Sequence, residues 1–546
     1  RKRGTFPDPQ RRAFINEAVC EGCGDCGVKS NCVSVEPLET EYGRKRQINQ
    51  SSCNKDYSCV NGFCPSFVTV EGGRPRKGKA TVATVAADAG APALPEPALP
   101  DVMAPYGILV TGIGGTGVVT IGQVLGMAAH LEGKGVTTLD MAGLAQKNGA
   151  VLSFIRIAEH PEQLHAPRIA TGGAAAVIGG DLVTTVGPEA LSKIQQGVTR
   201  IVASSTQTPT ADFTRNPDWQ YPEARMEQAL RDAAGADRVW FADASRLALA
   251  LMGDAINANL FLLGFAWQHG LVPVSRAAIE RAIDLNGVAV EANLQAFLWG
   301  RRAAHDPAGV ERLATPVSVL PFAPALSKSL DEIIARRVES LTDYQDAAYA
   351  ARYRTLVDRV REAEAQRVPG SAALAEAVAR YYYKLLAIKD EYEVARLYSR
   401  PEFMQRLAAT FEGDYKLRFH LAPPLLNKPD PVTGEARKSA YGPWMMTAFR
   451  WLARFKGLRG TALDVFGRTE ERRMERRLIA DYERTVEELL AKLARDNHRT
   501  AVAVASIPEE IRGYGHVKLR HLEAAKAKEA ELLAAFRAPP AAAKAA

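Results

Sequence analysis

From Tyr106 to about Arg302, short apolar runs alternate with stretches of helical spacing. The runs Ile108–Thr111, Val136–Leu139, Val151–Ile157, Ala175–Ile178, Ile201–Ala203 and Val239–Phe241 predict strands, because they are short and bounded by turn residues. Val118–Leu131, Met226–Ala234 and Ser275–Leu285 carry apolar residues at helical spacing and predict helices. This alternation predicts a doubly wound α/β domain over residues 106–303.

After Pro324 the strand signals stop. Leu326–Ala365, Ala373–Leu397, Glu470–Arg495 and Val517–Arg537 are amphipathic and heavily charged, so residues 304–538 read as mainly helical. Loops are marked at Ala422-Pro423-Pro424 and 428–434, and the tail 539–546 is expected to be disordered. Glu470 to Arg477 offers Glu-to-Arg pairs three and four apart, the pattern of a solvated helix face. Residues 1–73 form a small α+β module, and residues 74–105 turn to Ala, Pro and Gly, as in an extended linker. The multidomain order is thus module, linker, α/β domain and helical region.

No stretch reaches the ~18 uninterrupted apolar residues of a membrane span. The nearest, Leu247–Trp267, is broken by Asp254, Asn257 and Asn259 and reads as a buried helix. The start, Arg1-Lys2-Arg3-Gly4, has no apolar stretch behind it and no Met, so a cytoplasmic fragment or processed piece is expected. The chain has 546 residues, with 69 Lys and Arg against 62 Asp and Glu, and that mild balance does not argue for nucleic acid. Arg44-Lys45-Arg46 is the densest early basic run and reads as a solvated loop.

All 7 cysteines lie between Cys20 and Cys64. Disulfide frameworks want an even count and an oxidising compartment, so a metal site is favoured. Cys20, Cys23 and Cys26 repeat at a step of three, followed by Cys32. A third thiol at that step favours an iron–sulfur cluster over zinc. Cys53 and Cys59 have the same separation as Cys20 and Cys26, with Asp56 at the middle position and Cys64-Pro65 beyond. This is a bacterial-ferredoxin repeat with one thiolate replaced by a carboxylate. In two-cluster ferredoxins the fourth cysteine of each run serves the other cluster. One 4Fe–4S cluster would then take Cys20, Cys23, Cys26 and Cys64. The other would take Cys32, Cys53, Cys59 and either Asp56 or solvent, and could lose that iron to give a 3Fe–4S form.

Gly112-Ile113-Gly114-Gly115-Thr116-Gly117 follows a predicted strand and opens a helix, with Asp140 at the end of the next strand. Such a loop presents backbone N–H groups and a helix N-terminus to an anion. A dinucleotide site, another phosphate contact and a tight turn all fit it. Gln146 and Lys147 precede a strand, where ligands gather in open α/β sheets. The histidines show no metal or nucleophile spacing; His160 and His165 read as surface residues.

These segments resemble a known family. Val19–Gly27, Asn31–Val33, Gln50–Asp56 and Gly62–Ser66 resemble the ferredoxin segment of long, fused indolepyruvate ferredoxin oxidoreductases. Thr111–Val118, Asp140–Gly149 and Asn286–Glu291 are similar to the γ-type domain of 2-oxoacid:ferredoxin oxidoreductases. Leu421–Leu425, Tyr441–Met445 and Ile511–Val517 resemble the C-terminal part of the same fused enzymes. The resemblance implies oxidation of a 2-oxoacid such as indolepyruvate, with coenzyme A and ferredoxin as the electron acceptor, to acyl-CoA, CO2 and reduced ferredoxin. It also implies thiamine diphosphate and Mg on N-terminal domains or a partner subunit that this chain lacks, and a homo-oligomer. The Gly112, Gly114, Gly115 and Gly117 loop, with Gln146 and Lys147, becomes the candidate for coenzyme A or cofactor phosphate contacts. An NAD(P)H-linked iron–sulfur oxidoreductase using the glycine loop and Asp140, and a non-catalytic electron carrier or scaffold, are the alternatives.

Overall fold

The computed structural model describes residues 9–76, 94–143, 149–208, 210–314, 326–423 and 437–538. Their contacts divide them into two units. One gathers the described residues of 1–76, 210–219 and 320–546; the other gathers those of 77–209 and 220–319.

The first unit begins with β1 (Arg11–Ile15), α1 (Asp25–Ser30), the hairpin β2 (Val35–Thr40) and β3 (Gly43–Ile48), then β4 (Phe67–Glu71) and the two-residue β5 (Arg74–Pro75). β1 and β4 pair antiparallel, Arg11 opposite Glu71 and Ile15 opposite Phe67. The cysteines lie on the connections between these strands.

The second unit is built on one mixed sheet. Its strands are β6 (Tyr106–Ile113), β7 (Gly135–Ala142), β8 (Ala150–Ala158), β9 (Ala176–Gly179), β10 (Arg200–Ser204) and β11 (Val239–Ala242), in the order β11-β10-β9-β6-β8-β7. β6, β9, β10 and β11 run parallel, whereas β8 is antiparallel to both β6 and β7. The doubly wound α/β layering is present, with β8 running antiparallel to its neighbours. The connection between β7 and β8 spans only 143–149, too short for the crossover that a parallel neighbour requires, so β8 turns back and pairs antiparallel. Both faces are covered, as alternation along β6 shows: Ile108 and Val110 join one apolar cluster and Leu109 the other.

On the first face pack α2 (Val118–Leu131), α4 (Ala244–Met252), α5 (Ala258–Gln268), α6 (Arg276–Asn286) and α7 (Val290–His305); α3 (Glu223–Ala234) covers the second. The apolar run Leu247–Trp267 is two helices rather than one. Gly253 turns left-handed after α4, and the Asp254 carboxylate accepts the Ile256 N–H, which ends one helix and starts the next. α5 and α7 meet through glycine: a Cβ at Gly264 would run into the Phe297 carbonyl, and one at Gly300 into the Phe261 carbonyl.

The chain then returns to the first unit with α8 (Leu330–Tyr344), α9 (Ala347–Arg367), α10 (Ala373–Leu386), α11 (Glu391–Ser399) and α12 (Pro401–Thr410). Three strands follow: β12 (Phe411–Glu412), β13 (Lys416–Leu421) and β14 (Ser439–Tyr441). The last helices are α13 (Met445–Arg454), α14 (Glu470–Lys492), α15 (His498–Ala505) and α16 (Gly515–Arg537). The expectation that strands end at Pro324 is therefore corrected. β13 pairs with β4, and β12 with β5, giving a sheet ordered β1-β4-β13-β14. β4 would otherwise expose an unpaired apolar edge. Leu417, Phe419 and Leu421, the apolar positions of a strictly alternating segment, point into a core shared with Val68, Val70 and Phe14. Arg472 and Glu475, expected on a solvated face, are buried, with Arg472 also facing Glu391 and Lys518 bonded to Glu475.

No described helix is long and apolar enough to cross a membrane.

Two outcomes follow from this packing. Gly264→Ala should force α5 and α7 apart and cost about 1–3 kcal/mol, read as a lowered midpoint in thermal unfolding. Glu364, on α9, accepts the N–H groups of Leu374 and Ala375 and bonds His498 and the Ser371 hydroxyl. Burial alone would raise its carboxyl, but these donors hold it below the usual range. Its contribution is therefore present above the ordinary carboxylate range and lost as pH falls through the lowered value. Glu364→Leu should flatten that acid limb in a urea-titration series and lower stability by about 1–3 kcal/mol near neutrality.

Candidate cysteine site

The thiols fall into two sets. The electrostatic neighbours of Cys26 are Cys64, Cys23 and Cys20, and those of Cys23 include Cys64 and Cys20. The neighbours of Cys59 are Cys32, Cys53 and Asp56, and Cys53 also faces Cys32 and Asp56. The structure thus brings Cys20, Cys23, Cys26 and Cys64 together in one place and Cys32, Cys53, Cys59 and Asp56 in another. All seven cysteines are free of disulfides.

Local backbone geometry explains the first set. Gly22 and Gly24 take left-handed turns between the sulfurs, and a Cβ at Gly22 would strike the Arg44 carbonyl. Gly62 approaches the Cys26 backbone to 2.8 Å of a would-be Cβ, which lets the loop carrying Cys64 close over α1. Three sulfurs accept an N–H two residues on: Cys20 from Gly22 at 3.3 Å, Cys23 from Asp25 and Cys53 from Lys55. Burial pushes the Cys26 and Cys23 thiols up, and Cys59 up to about 12.

Cations offset this concentration of sulfur. Arg46 is buried beside Cys20, Cys26 and Cys23, and gives hydrogen bonds to the Lys45 and Pro217 carbonyls. Lys438 gives hydrogen bonds to the Gly62 and Cys64 carbonyls and faces Cys64 and Cys26. The expectation of a solvated loop at Arg44-Lys45-Arg46 is corrected: these residues lie on β3, and Lys45 and Arg46 are buried because sulfurs and carbonyls surround them. Arg12 faces Cys53 in the second set.

The helical region closes around the first set. Lys389 pairs with Glu21 at 2.7 Å and bonds the Val19 and Cys20 carbonyls; the Tyr514 hydroxyl donates to Val19 O at 2.6 Å. Burial would raise the Glu21 carboxyl, but Lys389, with Lys45, Lys518 and Lys384, holds it well below the usual range. The same burial lowers Lys45 to about 8 and Lys384 to about 7. Lys389 lies in no motif, and Tyr514 lies in the Ile511–Val517 segment without any local sign of its partner; distance in sequence from the cysteines hid both.

Asp56 sits between two left-handed residues, Lys55 and Tyr57. One oxygen accepts from Asn54, and the other from the Ser58 N–H and hydroxyl. It stands beside its set, and its oxygens also organise the turn.

The donor chemistry suits iron–sulfur clusters. Soft thiolates in two sets, N–H groups on sulfur and nearby cations are what such clusters need. Among the described residues no group of three or more His, Cys, Asp or Glu is set to hold one metal ion. Cube ligands each bind a separate iron and so stand further apart than ligands converging on one ion.

The glycine loop forms its strand–turn–helix. Gly115 and Gly117 are left-handed, and Gly117 has no room for a Cβ against Asn259. Gly112 closes the β6 end, and a Cβ there would meet Val118 at 2.8 Å. The Ile113 N–H is held by the buried Asp181 carboxylate at 2.7 Å, and the Gly114 N–H by Gly149 O at 2.8 Å. Asp140 lies two strands from β6 with β8 between, near Gly122 of α2. Gln146 and Lys147 lie outside the described residues.

Replacing Lys389 tests the buried charge balance. Lys389→Met leaves Glu21 without its nearest cation and should cost about 3–5 kcal/mol, measured by urea unfolding of the apoprotein. Lys389→Arg should recover part of that loss.

Comparison with known proteins places the second unit. Residues 107–303 match the family model described as pyruvate ferredoxin/flavodoxin oxidoreductase, and residues 330–531 match a family of unknown function, DUF6537. The chain is 23% identical over 210 residues to indolepyruvate oxidoreductase subunit IorB of Thermococcus kodakarensis, covering 38% of this chain and 100% of that protein. It is 26% identical over 203 residues to the IorB subunit of Methanothermobacter thermautotrophicus, covering 37% of this chain and 98% of that one. Among solved structures, pyruvate oxidoreductase subunit PORC of Thermotoga maritima aligns at 20% identity and a TM-score of 0.27, covering 36% of this chain and 96% of that one. Residues 107–303 are thus similar to the pyruvate ferredoxin/flavodoxin oxidoreductase family.

Proposed function

We propose that the chain is the electron-carrying part of a thiamine diphosphate-dependent 2-oxoacid:ferredoxin oxidoreductase acting on an aryl 2-oxoacid of the indolepyruvate type. The observation that supports it most is the partition of seven thiols into two sets with cations beside them. Bound there, two iron–sulfur clusters would supply single-electron transfer. Cys20, Cys23, Cys26 and Cys64 would hold one; Cys32, Cys53 and Cys59, with Asp56 or solvent, the other. Arg46 and Lys438 offset negative charge at the first set, which favours its reduced state. Lys389 and Tyr514 fix the Val19–Cys20 backbone.

In the second unit the glycine loop would contact a phosphate of coenzyme A or of a cofactor. Thiamine diphosphate and Mg would be held by other domains or a partner subunit, with ferredoxin as acceptor, in a cytoplasmic homo-oligomer. The NAD(P)H alternative loses support from β8, which separates Asp140 from the glycine loop, because a dinucleotide fold places that acid on the adjacent parallel strand.

Anaerobic reconstitution tests the reading. The wild-type chain should gain iron and acid-labile sulfide for two clusters; Cys64→Ser and Cys53→Ser should each remove a different one. Asp56→Cys should suppress a three-iron signal in electron paramagnetic resonance. Protein that stays colourless and free of sulfide would end the reading, and bleaching of the clusters by NADH alone would favour the alternative.

A further inference from the structure

α13 connects the first thiol set to solvent. On its inner side Met445 and Phe449 are buried in the core shared with β4 and β13. Phe449 stacks on Tyr398 with ring centroids 5.0 Å apart, and the Tyr398 hydroxyl donates to the carbonyl of Pro65, the residue after Cys64, at 2.6 Å. Met445, Ala448, Phe449 and Leu452 also line, with Cys64, a cavity of about 510 Å³.

The outer side of the same segment is unusual. Trp444 and Trp451 are 61% and 58% exposed, and Phe455 is 49% exposed. From Arg437 to Arg468 the chain carries seven Lys and Arg (Arg437, Lys438, Arg450, Arg454, Lys456, Arg459 and Arg468) and one acid, Asp464. That acid is buried and capped by the Gly460 and Gly467 N–H groups, and Lys438 is turned inward onto the Gly62 and Cys64 carbonyls, so neither counts toward the charge outside. Arg459 is taken by Asp390, while Arg450 and Arg454 are exposed, with Arg454 over the Trp451 ring at 5.1 Å. Exposed tryptophans beside arginines are the composition of binding hot spots, and charge of one sign selects a partner of the other.

We infer that the outer face of α13, centred on Trp451, Arg450 and Arg454, docks a small acidic iron–sulfur protein. The commitment to that partner comes from the charge and from the helix itself, whose inner face packs on Tyr398, which bonds the carbonyl of Pro65 beside Cys64. It deepens the proposed function and rests on it.

The test measures binding of the full chain, after anaerobic reconstitution, to an acidic ferredoxin by isothermal titration calorimetry at low and moderate salt. Arg450→Glu combined with Arg454→Glu should weaken binding about tenfold or more and remove most of its salt dependence. Trp451→Ala should weaken it by about tenfold with the salt dependence kept. Arg354→Glu combined with Arg484→Glu, the same charge change on other helices, should leave the affinity as it was. Thermal melts confirm that each variant is folded. Equal affinity for wild type and the α13 variants, in protein that holds iron and sulfide, overturns the inference while the proposed function stands. Tighter binding of a single-stranded oligonucleotide than of ferredoxin, lost in the same variants, overturns it in favour of nucleic acid. Failure to take up iron removes the proposed function, and this surface's purpose with it.

Discussion

Four sulfurs and the Glu21 carboxylate are gathered out of water at one point, and most of the first unit is arranged about it. Burial pushes the Cys23 and Cys26 thiols up, and a buried carboxylate such as Glu21 is tolerated only with donors and cations around it. The loop from Cys20 to Cys26 is too short to supply them. Its own backbone provides the Gly22 and Asp25 N–H groups, β3 supplies Arg46, and the rest come from residues hundreds of positions away. Lys389 holds the Cys20 carbonyl and Glu21, Lys438 holds the Cys64 carbonyl, and Tyr514 holds Val19. Compensation of this kind makes the cysteine segment and the helical region one body.

The sheet shows the same dependence in apolar terms. β4 has β1 on one side and β13 on the other, and its Val68 and Val70 are covered by Leu417, Phe419 and α13. A two-stranded sheet over so small a module would be marginal in water. The region matching a family of unknown function therefore has a structural role visible in the fold: it completes the sheet and covers the sulfurs.

Where local pattern determines structure, it was legible in the sequence. The helix expected over Val118–Leu131 is α2 with the same bounds, and each expected strand from Ile108 to Phe241 has its counterpart. β13 was missed although Lys416–Leu421 alternates polar and apolar at every position, because the signal is only six residues long within a mainly helical stretch and its partner strand lies some 350 positions earlier. Arg46 and Arg472 misled for a related reason. Charge runs usually face water, and only tertiary partners reveal a buried one. The direction of β8 likewise depends on the length of a connection rather than on the residues of the strand. The thiol partition stands between these cases: spacing marks the two runs, while the crossing of Cys64 and Cys32 was carried over from two-cluster ferredoxins.

The glycine loop shows how such insertions limit what a motif can do. In a dinucleotide fold the strand after the first helix lies beside the first strand, so the loop and the acid grip one ligand together. Here β8 occupies that place, and Asp140 is carried a further strand away towards Gly122. Asp181 then fills part of the loop from inside, taking the Ile113 N–H and capping the next helix through the Thr184 N–H. Among the described residues, the Gly115 and Gly117 N–H groups have no backbone acceptor. The sequence GxGxxG thus describes the turn faithfully, while the order of the sheet strands decides how much of a ligand the turn can reach.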